Sequence, residues 1–286
     1  MSGPADELQQ LEKLLHGIRI PPQPEILVEI DKELRQAESD LPRIARLIHS
    51  DVFLSAGVLK VVNSVQFGLR RRVESVHQAV TLLGLDRLRN MLSAVVLKRS
   101  MEAYGLPSMP RYWDSAPAIA SAAMEIARRV SRIPPDEAYT LGLFSDVGIP
   151  LLAGRFPDYI ETLKLANSRE KGRFTDLEEA RYDTSHAVVG FYMAASWHLS
   201  PANQEAINSH HHVVDILGRN VPGGREVETR LAVLKLAERA EHLCNRHQDP
   251  DPEWAQIGPQ VMDYLGLSEP DFQELMDDLL EQLRTL

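Results

Sequence analysis

The residues of this chain best suited to metal chemistry are one aspartate and three histidines. Asp146 is the single charge in the apolar stretch 141–152, and His186, His210 and His211 follow it along the chain. Carboxylate oxygens and imidazole nitrogens are common protein ligands of Zn²⁺ and similar ions. An ion held in this way can activate water for the hydrolysis of phosphate esters. The folded chain must bring the four side chains together for such a site to exist.

Helical spacing places the three histidines on inward faces. His186 begins a stripe of small and apolar residues that recurs at helix spacing. Ile207, His210 and His211 are three and four positions apart, so both histidines share the apolar face of a helix predicted over 201–212. Buried polar groups need partners. The histidines and the aspartate therefore either hydrogen-bond to one another or hold a metal ion, and spacing alone leaves both interpretations open.

Composition indicates a globular protein and excludes several classes. The chain has 286 residues, of which 44% are hydrophobic and 25% charged, enough for one large domain or two small ones. Its single cysteine, Cys244, excludes an intrachain disulfide and a cysteine zinc cluster. No apolar run is long enough to span a bilayer, and the polar N-terminus has no secretory signal, so we expect a cytoplasmic protein that is not bound to membranes. The net charge of −10, with the acidic excess after residue 110, argues against a broad nucleic-acid surface.

Helical periodicity dominates the chain and strand alternation is nearly absent. We therefore predict an all-α protein of about a dozen or more helices with no significant sheet. The segment 104–110, rich in proline and glycine, is the clearest internal boundary. The predicted organisation is an N-terminal extension over 1–17, a helical subdomain over 18–105, a second subdomain over 110–215 and a C-terminal helical extension over 216–286.

Two local patterns predict helix ends. Gly84 is expected to end the short helix that begins after Ser75. Thr175 and Glu178 have the spacing of a capping box, which predicts that a helix begins there and that the Glu178 carboxylate serves its N-terminus.

Three consecutive arginines, Arg70, Arg71 and Arg72, lie in a predicted loop. Such a cluster can bind the phosphate of a nucleotide or an acidic partner. It can equally be a solvated loop without a ligand.

Several segments share a pattern known from one family. They are 20–24, which is rich in proline, 59–64 followed by Phe67 and Gly68, the helix 75–84, and the later Trp113, Gly142, Leu143, His186, Gly190, Trp197, His210 and His211. Together they resemble the HDOD domain, a divergent branch of the HD superfamily of metal-dependent phosphohydrolases, over residues 18–215. The resemblance implies an HD-like helical domain preceded by an N-terminal helical subdomain.

The resemblance also shows where this chain departs from catalytic HD proteins. Ser115 and Ser145 stand where those proteins carry histidine ligands, Asp146 is kept, and Glu238 corresponds to a late helical aspartate. A serine hydroxyl is neutral and a poor ligand for a divalent transition metal. Losing two imidazoles should weaken metal binding and the activation of water. We therefore regard these positions, with the three histidines, as a degenerate HD site.

The resulting expectation is a non-catalytic signal-transduction or regulatory module of bacterial type that binds a signalling protein or a nucleotide. We expect no catalytic residue, metal ion or other cofactor. If an ion binds, its ligands are Asp146, His186, His210 and His211, of which the histidines match ligands of the related HD-GYP diesterases. The alternatives are a metal-dependent phosphohydrolase or phosphodiesterase with a rearranged site and a cyclic-dinucleotide sensor that uses Arg70–Arg72. The acidic C-terminal helix is amphipathic and can dock a second copy of the chain, so a homo-oligomer is a further alternative.

Overall fold

Helices and turns make up the part of the chain that the structure describes. In this computed structural model the described residues are 17–34, 36, 40–63, 72–167, 172–217, 225–246 and 250–284. No strand occurs among them, which confirms the predicted all-α class. No helix in these ranges has the length and apolar character that a bilayer crossing requires.

The first helices form a small layer of their own. They are α1 (Glu25–Leu34), α2 (Leu41–Ser50), α3 (Val52–Val62), α4 (Val76–Leu83) and α5 (Leu85–Ala103). The side chains of Asp40 and Ser75 accept backbone hydrogen bonds at the starts of α2 and α4. Gly84 ends α4 with φ of +72°, so the predicted helix end at this glycine is confirmed. The side chain of Asn63 bonds the backbone N–H and C=O of Val73 at 2.7 and 2.8 Å, which joins α3 to the approach to α4.

The second group of helices surrounds the candidate metal ligands. It comprises α6 (Pro110–Val130), α7 (Pro135–Phe144), α8 (Gly148–Arg155), α9 (Tyr159–Asn167), α10 (Phe174–Tyr182), α11 (His186–Ser196), α12 (Pro201–Ser209) and α13 (Val213–Ile216). Helices α6 and α7 approach so closely that a Cβ atom on Gly142 would lie 2.8 Å from the Cα of Ala120. This contact fixes the end of α7, from which the chain continues directly to Asp146.

The C-terminal helices are integral to the second group. They are α14 (Arg225–Arg246), α15 (Pro252–Leu265) and α16 (Glu269–Leu283). Helix α14 packs against α6, α7, α12, α15 and α16. Its residues Leu231, Leu234 and Leu236 are fully buried. The segment predicted as an extension therefore contributes to the same hydrophobic core as the helices that precede it.

Two predicted helix ends are wrong. The helix expected over 201–212 ends at Ser209, because the His210 imidazole bonds the Ile207 carbonyl and replaces the next turn. Helix α10 begins at Phe174, with Arg173 and Asp176 forming the capping interaction. The capping box predicted at Thr175 and Glu178 is therefore two residues out of place.

Candidate metal centre

Asp146, His186, His210 and His211 converge on one point. Each offers one ligand atom, and these atoms lie within 4.8 Å of one another. The Nε2 atom of His186 is 3.2 Å from that of His210 and 3.1 Å from that of His211. The Asp146 Oδ1 atom lies 3.5 Å from His186 Nε2 and 3.6 Å from His210 Nε2. The structure thus gathers all four residues that the sequence offered as a ligand set.

Close backbone packing determines where His186 and Asp146 meet. His186 is the first residue of α11, and Asp146 lies in the turn between α7 and α8. Gly148 begins α8 directly against His186: a Cβ atom there would lie 2.1 Å from the His186 carbonyl oxygen. Glycine is therefore required at position 148 for the two segments to approach this closely.

Each imidazole has a hydrogen-bond acceptor on the side away from the cluster. His186 Nδ1 donates to Glu178 at 2.7 Å, and His210 Nδ1 donates to the Ile207 carbonyl at 2.7 Å. His211 Nδ1 bonds Glu253 at 3.2 Å. A carbonyl oxygen can only accept, so it fixes the proton of His210 on Nδ1. The same arrangement at the other two rings directs three Nε2 lone pairs toward Asp146.

These Nε2 atoms cannot satisfy one another by hydrogen bonds when all three imidazoles are neutral. Three lone pairs at 3.1–3.2 Å repel unless a positive charge lies between them. A tetrahedral ion with bonds of about 2.0–2.1 Å separates its ligand atoms by about 3.3–3.4 Å. Four of the six separations between the ligand atoms, 3.1–3.6 Å, bracket this value, and the other two are no longer than 4.8 Å. The donor set therefore fits a single Zn²⁺-like ion.

The electrostatics of the cluster allow a proton as the competing occupant. Burial disfavours charge on His186, but the Glu178 and Asp146 carboxylates outweigh it and raise the His186 pKa. Burial lowers the pKa of His210, and burial together with His210 lowers that of His211. Burial also disfavours the charge of Asp146, yet the three histidines hold its pKa well below the ordinary value. Of the three imidazoles, His186 is therefore the one whose protonated form the cluster favours.

The serines and the glutamate at the degenerate positions make other contacts. Ser115, on α6, donates to Glu241 of α14, and the buried Ser145 donates to the Gly142 carbonyl at 3.2 Å. Glu238, on α14, bonds Lys235 at 2.8 Å and is not part of the converging set. Ser115 therefore joins α6 to α14, whereas Ser145 and Glu238 make these bonds within their own segments.

A buried lysine adjoins the cluster. Lys235 is 2% exposed and its Nζ atom contacts Glu238 at 2.8 Å and Glu253 at 2.9 Å. Burial disfavours the ammonium charge, but the two carboxylates outweigh it and raise the Lys235 pKa. Burial raises the pKa of Glu238 to about 8. Because Glu253 also bonds His211, one carboxylate links this ammonium to the candidate ligands.

Two aromatic residues border the cluster. Phe174 stacks on His211 at 5.6 Å between ring centroids and meets His186 edge-on at 5.3 Å. The hydroxyl of Tyr112 is buried and has no hydrogen-bond partner among the described residues. Burial raises the Tyr112 pKa, and the nearby Asp146 carboxylate adds to that effect. The Asp146 side chain remains 31% exposed, so solvent reaches this ligand of the centre.

The predicted anion loop receives no structural support. Arg70 and Arg71 lie outside the described residues, and Arg72 is exposed. Their assignment as an anion or partner site stays a prediction.

Sequence reasoning missed several residues that complete the centre. Lys235 carried a usable signal, since it is the single charge in the apolar run 231–237, as Asp146 is in its own run. Glu178 was interpreted as a helix cap because its spacing from Thr175 has that meaning locally. Glu253 carried no local signal, because only the fold brings α15 beside His211.

Fold and site together define an all-α domain with a histidine-aspartate centre of the HD type. The profile of the HDOD domain matches residues 20–213, and the chain belongs to that family. A Geobacter sulfurreducens HDOD domain protein of unknown function shares the fold, with a TM-score of 0.70 at 24% identity, covering 99% of this chain and 97% of that one.

Two curated relatives match part of the chain. An uncharacterised protein of Treponema pallidum is 26% identical over 195 residues, which are 68% of this chain and 38% of that protein. The cyclic di-GMP phosphodiesterase CdgJ of Vibrio cholerae is 29% identical over 174 residues, which are 56% of this chain and 38% of CdgJ. In both cases the similarity spans well under half of the relative.

Proposed function

We propose that this protein is a non-catalytic regulatory module of a signalling system and that its centre holds one divalent transition-metal ion as a structural element. The observation that carries the proposal is the convergence of four protein ligand atoms within 4.8 Å of one another, with four of their six separations suited to a tetrahedral ion. Structural zinc sites use four protein ligands, whereas catalytic sites keep one position for water. Asp146 and the three histidines would hold the ion, and the ion would supply a fixed positive charge that joins three segments of the fold.

The state of the two serines supports the absence of hydrolysis. Ser115 and Ser145 are neutral hydroxyls that bond Glu241 and Gly142, so they bring no imidazole to the site. An expectation of no metal follows from these two positions alone. The four converging residues are different from these two serines, so replacing the two histidines leaves four ligand atoms in place. Their geometry favours a metal ion nevertheless.

Regulation by association is the finer part of the proposal. A domain that performs no chemistry acts by binding, and we propose a signalling protein as its partner. CdgJ, a relative named for an activity on cyclic di-GMP, supports a signalling context, but the similarity spans 38% of its length. That activity belongs to CdgJ as a whole protein.

A metal-dependent phosphohydrolase with a rearranged site is the second candidate. It is favoured by the 31% exposure of the Asp146 side chain and by the buried Tyr112 hydroxyl, which Asp146 influences electrostatically and which has no hydrogen-bond partner among the described residues. An oxygen of a substrate or a water molecule could occupy this opening if the ion took a fifth ligand. The third possibility, a cyclic-dinucleotide sensor at Arg70–Arg72, rests on residues largely outside the described part of the chain.

Metal content and turnover test the proposal together. The purified protein is loaded with Zn²⁺, Mn²⁺, Fe²⁺ or Ni²⁺, freed of excess ion, and analysed by mass spectrometry for bound metal. We expect one ion per chain, lost in His210→Ala and retained in His212→Ala, which changes a neighbouring histidine outside the converging set. The same samples should not hydrolyse cyclic di-GMP or bis(p-nitrophenyl) phosphate. Turnover that disappears in Asp146→Asn refutes the non-catalytic function, and a folded protein without bound metal refutes the structural ion.

A further inference from the structure

The ammonium of Lys235 is an unusual group to find beside a metal centre. It is almost fully buried, and its two hydrogen-bonding partners, Glu238 and Glu253, belong to different helices. A buried charge is stable only with close partners. Here one cation lies between two carboxylates, so the three groups carry a net negative charge once both carboxylates are ionised.

This acidic group is continuous with the candidate metal ligands. Glu253 accepts from Lys235 at 2.9 Å and from His211 at 3.2 Å, through the same Oε1 atom. Glu238 also interacts electrostatically with Asp146. The Lys235 ammonium and the point where the four ligand atoms meet are therefore two adjacent positions for a cation, and both lie near the carboxylates of Glu238 and Glu253.

We propose that Lys235 is a covalently attached cation that limits the centre to one metal ion. Its ammonium occupies the position between Glu238 and Glu253 where a second divalent ion would otherwise be attracted. Carboxylate oxygens suit Mn²⁺ and accept Zn²⁺. The inference rests on the proposed function, since a limit of one ion presupposes that the four converging ligands bind the first.

The charge of Lys235, and not its size, should then determine how many ions bind. Lys235→Met keeps a long side chain of similar volume but removes the charge. Without the ammonium, the partly exposed carboxylates of Glu238 and Glu253 would repel each other unless a proton or another cation lay between them, and a divalent ion supplied in excess can meet that requirement. Lys235→Arg keeps the charge and serves as the matched control. Lys235→Met/Glu238→Gln removes one of the two carboxylates as well.

Metal stoichiometry after loading with Mn²⁺ or Zn²⁺ is the test. We expect one ion per chain in the wild type and in Lys235→Arg, two in Lys235→Met, and one again in Lys235→Met/Glu238→Gln. Circular dichroism monitors folding, and Lys235→Met should regain a cooperative thermal transition when metal is added. A folded Lys235→Met that binds no more metal than the wild type overturns the proposal, as does a Lys235→Met that stays unfolded with saturating metal.

The outcomes separate this inference from the function on which it rests. No ion in the wild type, together with one ion in Lys235→Met, would refute the structural ion while retaining the role of Lys235. One ion in both proteins would retain the structural ion and remove the role of Lys235.

Discussion

The imidazole of His186 and the carboxylate of Glu178 form a fully buried pair with 2.7 Å between Nδ1 and Oε2. Glu178 also accepts from the backbone N–H of His186 at 3.0 Å, so the carboxylate fixes both the ring and the start of α11. Burial disfavours the Glu178 charge, but His186 outweighs it and lowers the Glu178 pKa. The carboxylate thus increases the basicity of the nitrogen that faces Asp146.

Glu178→Gln should weaken metal binding without removing any ligand. The amide keeps the shape of the side chain but lacks the charge that orients and polarises His186. Loss of such a supporting carboxylate typically lowers metal affinity about 10–100-fold. Competition with a chromogenic chelator measures the change. Glu179→Gln alters an exposed neighbour and should bind as the wild type does; equal affinities in the two variants would show that Glu178 has no such role.

Gly148→Ala should destabilise the protein more than Gly154→Ala. The added methyl at 148 would lie 2.1 Å from a backbone oxygen of His186, which cannot move without displacing α11. At 154 the nearest atom is the end of the Leu106 side chain, at 2.5 Å, and this side chain can rotate away. We expect a loss of about 3 kcal/mol in the free energy of unfolding at 148 and about 1 kcal/mol at 154. Urea unfolding compares them, and similar losses would contradict the close approach of α8 to His186.

Glu238 should make stability fall as the pH rises. Its ordinary pKa is 4.5, and burial raises this to about 8 in the folded protein. A carboxyl with a raised pKa stabilises the fold fully below pH 4.5, and this contribution is lost as the pH rises toward 8. Glu238→Gln mimics the protonated form at every pH. The variant should therefore match the wild type near pH 5 and exceed it by about 2 kcal/mol at pH 9.

Unfolding by urea at pH 5, 7 and 9 measures this difference. Glu226→Gln, at an exposed position on the same helix, should follow the wild type at all three values. A Glu238→Gln variant that is less stable than the wild type at pH 9 would show that the ionised carboxylate stabilises the fold through Lys235.

Tyr112→Phe and Tyr159→Phe should have opposite consequences for stability. The Tyr112 hydroxyl is buried without a partner among the described residues, so its removal should be neutral or stabilise by up to about 1 kcal/mol. The Tyr159 hydroxyl donates to Glu178, and its removal should cost about 1–3 kcal/mol because the carboxylate loses a buried donor. Thermal unfolding compares the two, and a large loss in Tyr112→Phe would reveal a partner for its hydroxyl.

The helical class was predictable because apolar spacing records which face of each helix is buried. The same spacing placed His186 correctly on an inward face. It failed at His210, where a side chain bonds the Ile207 carbonyl and ends the helix three residues early. Periodicity describes continuous helices, and it contains no information on which side chain will terminate one.

The sequence was enough to predict which four residues form the ligand set, but not the distances between them. Asp146 and the histidines are conspicuous because polar residues are rare in apolar surroundings. Their mutual distances depend on Gly148 and Glu178, whose roles arise only when α8 and α10 meet α11. Glu253 lies on a helix that the sequence assigned to an extension, so its contact with His211 could not be anticipated.

The bond between His211 and Glu253 bears on where this domain can be cut. The family profile ends at residue 213, yet the acceptor of His211, the buried Lys235 and much of the shared core lie beyond that point. A fragment that ends at residue 213 would still contain all four ligand residues, but it would expose the apolar surface that α14 covers. The segment that shares one hydrophobic core is thus longer than the segment that the family model matches. Comparisons among relatives should therefore extend through α15.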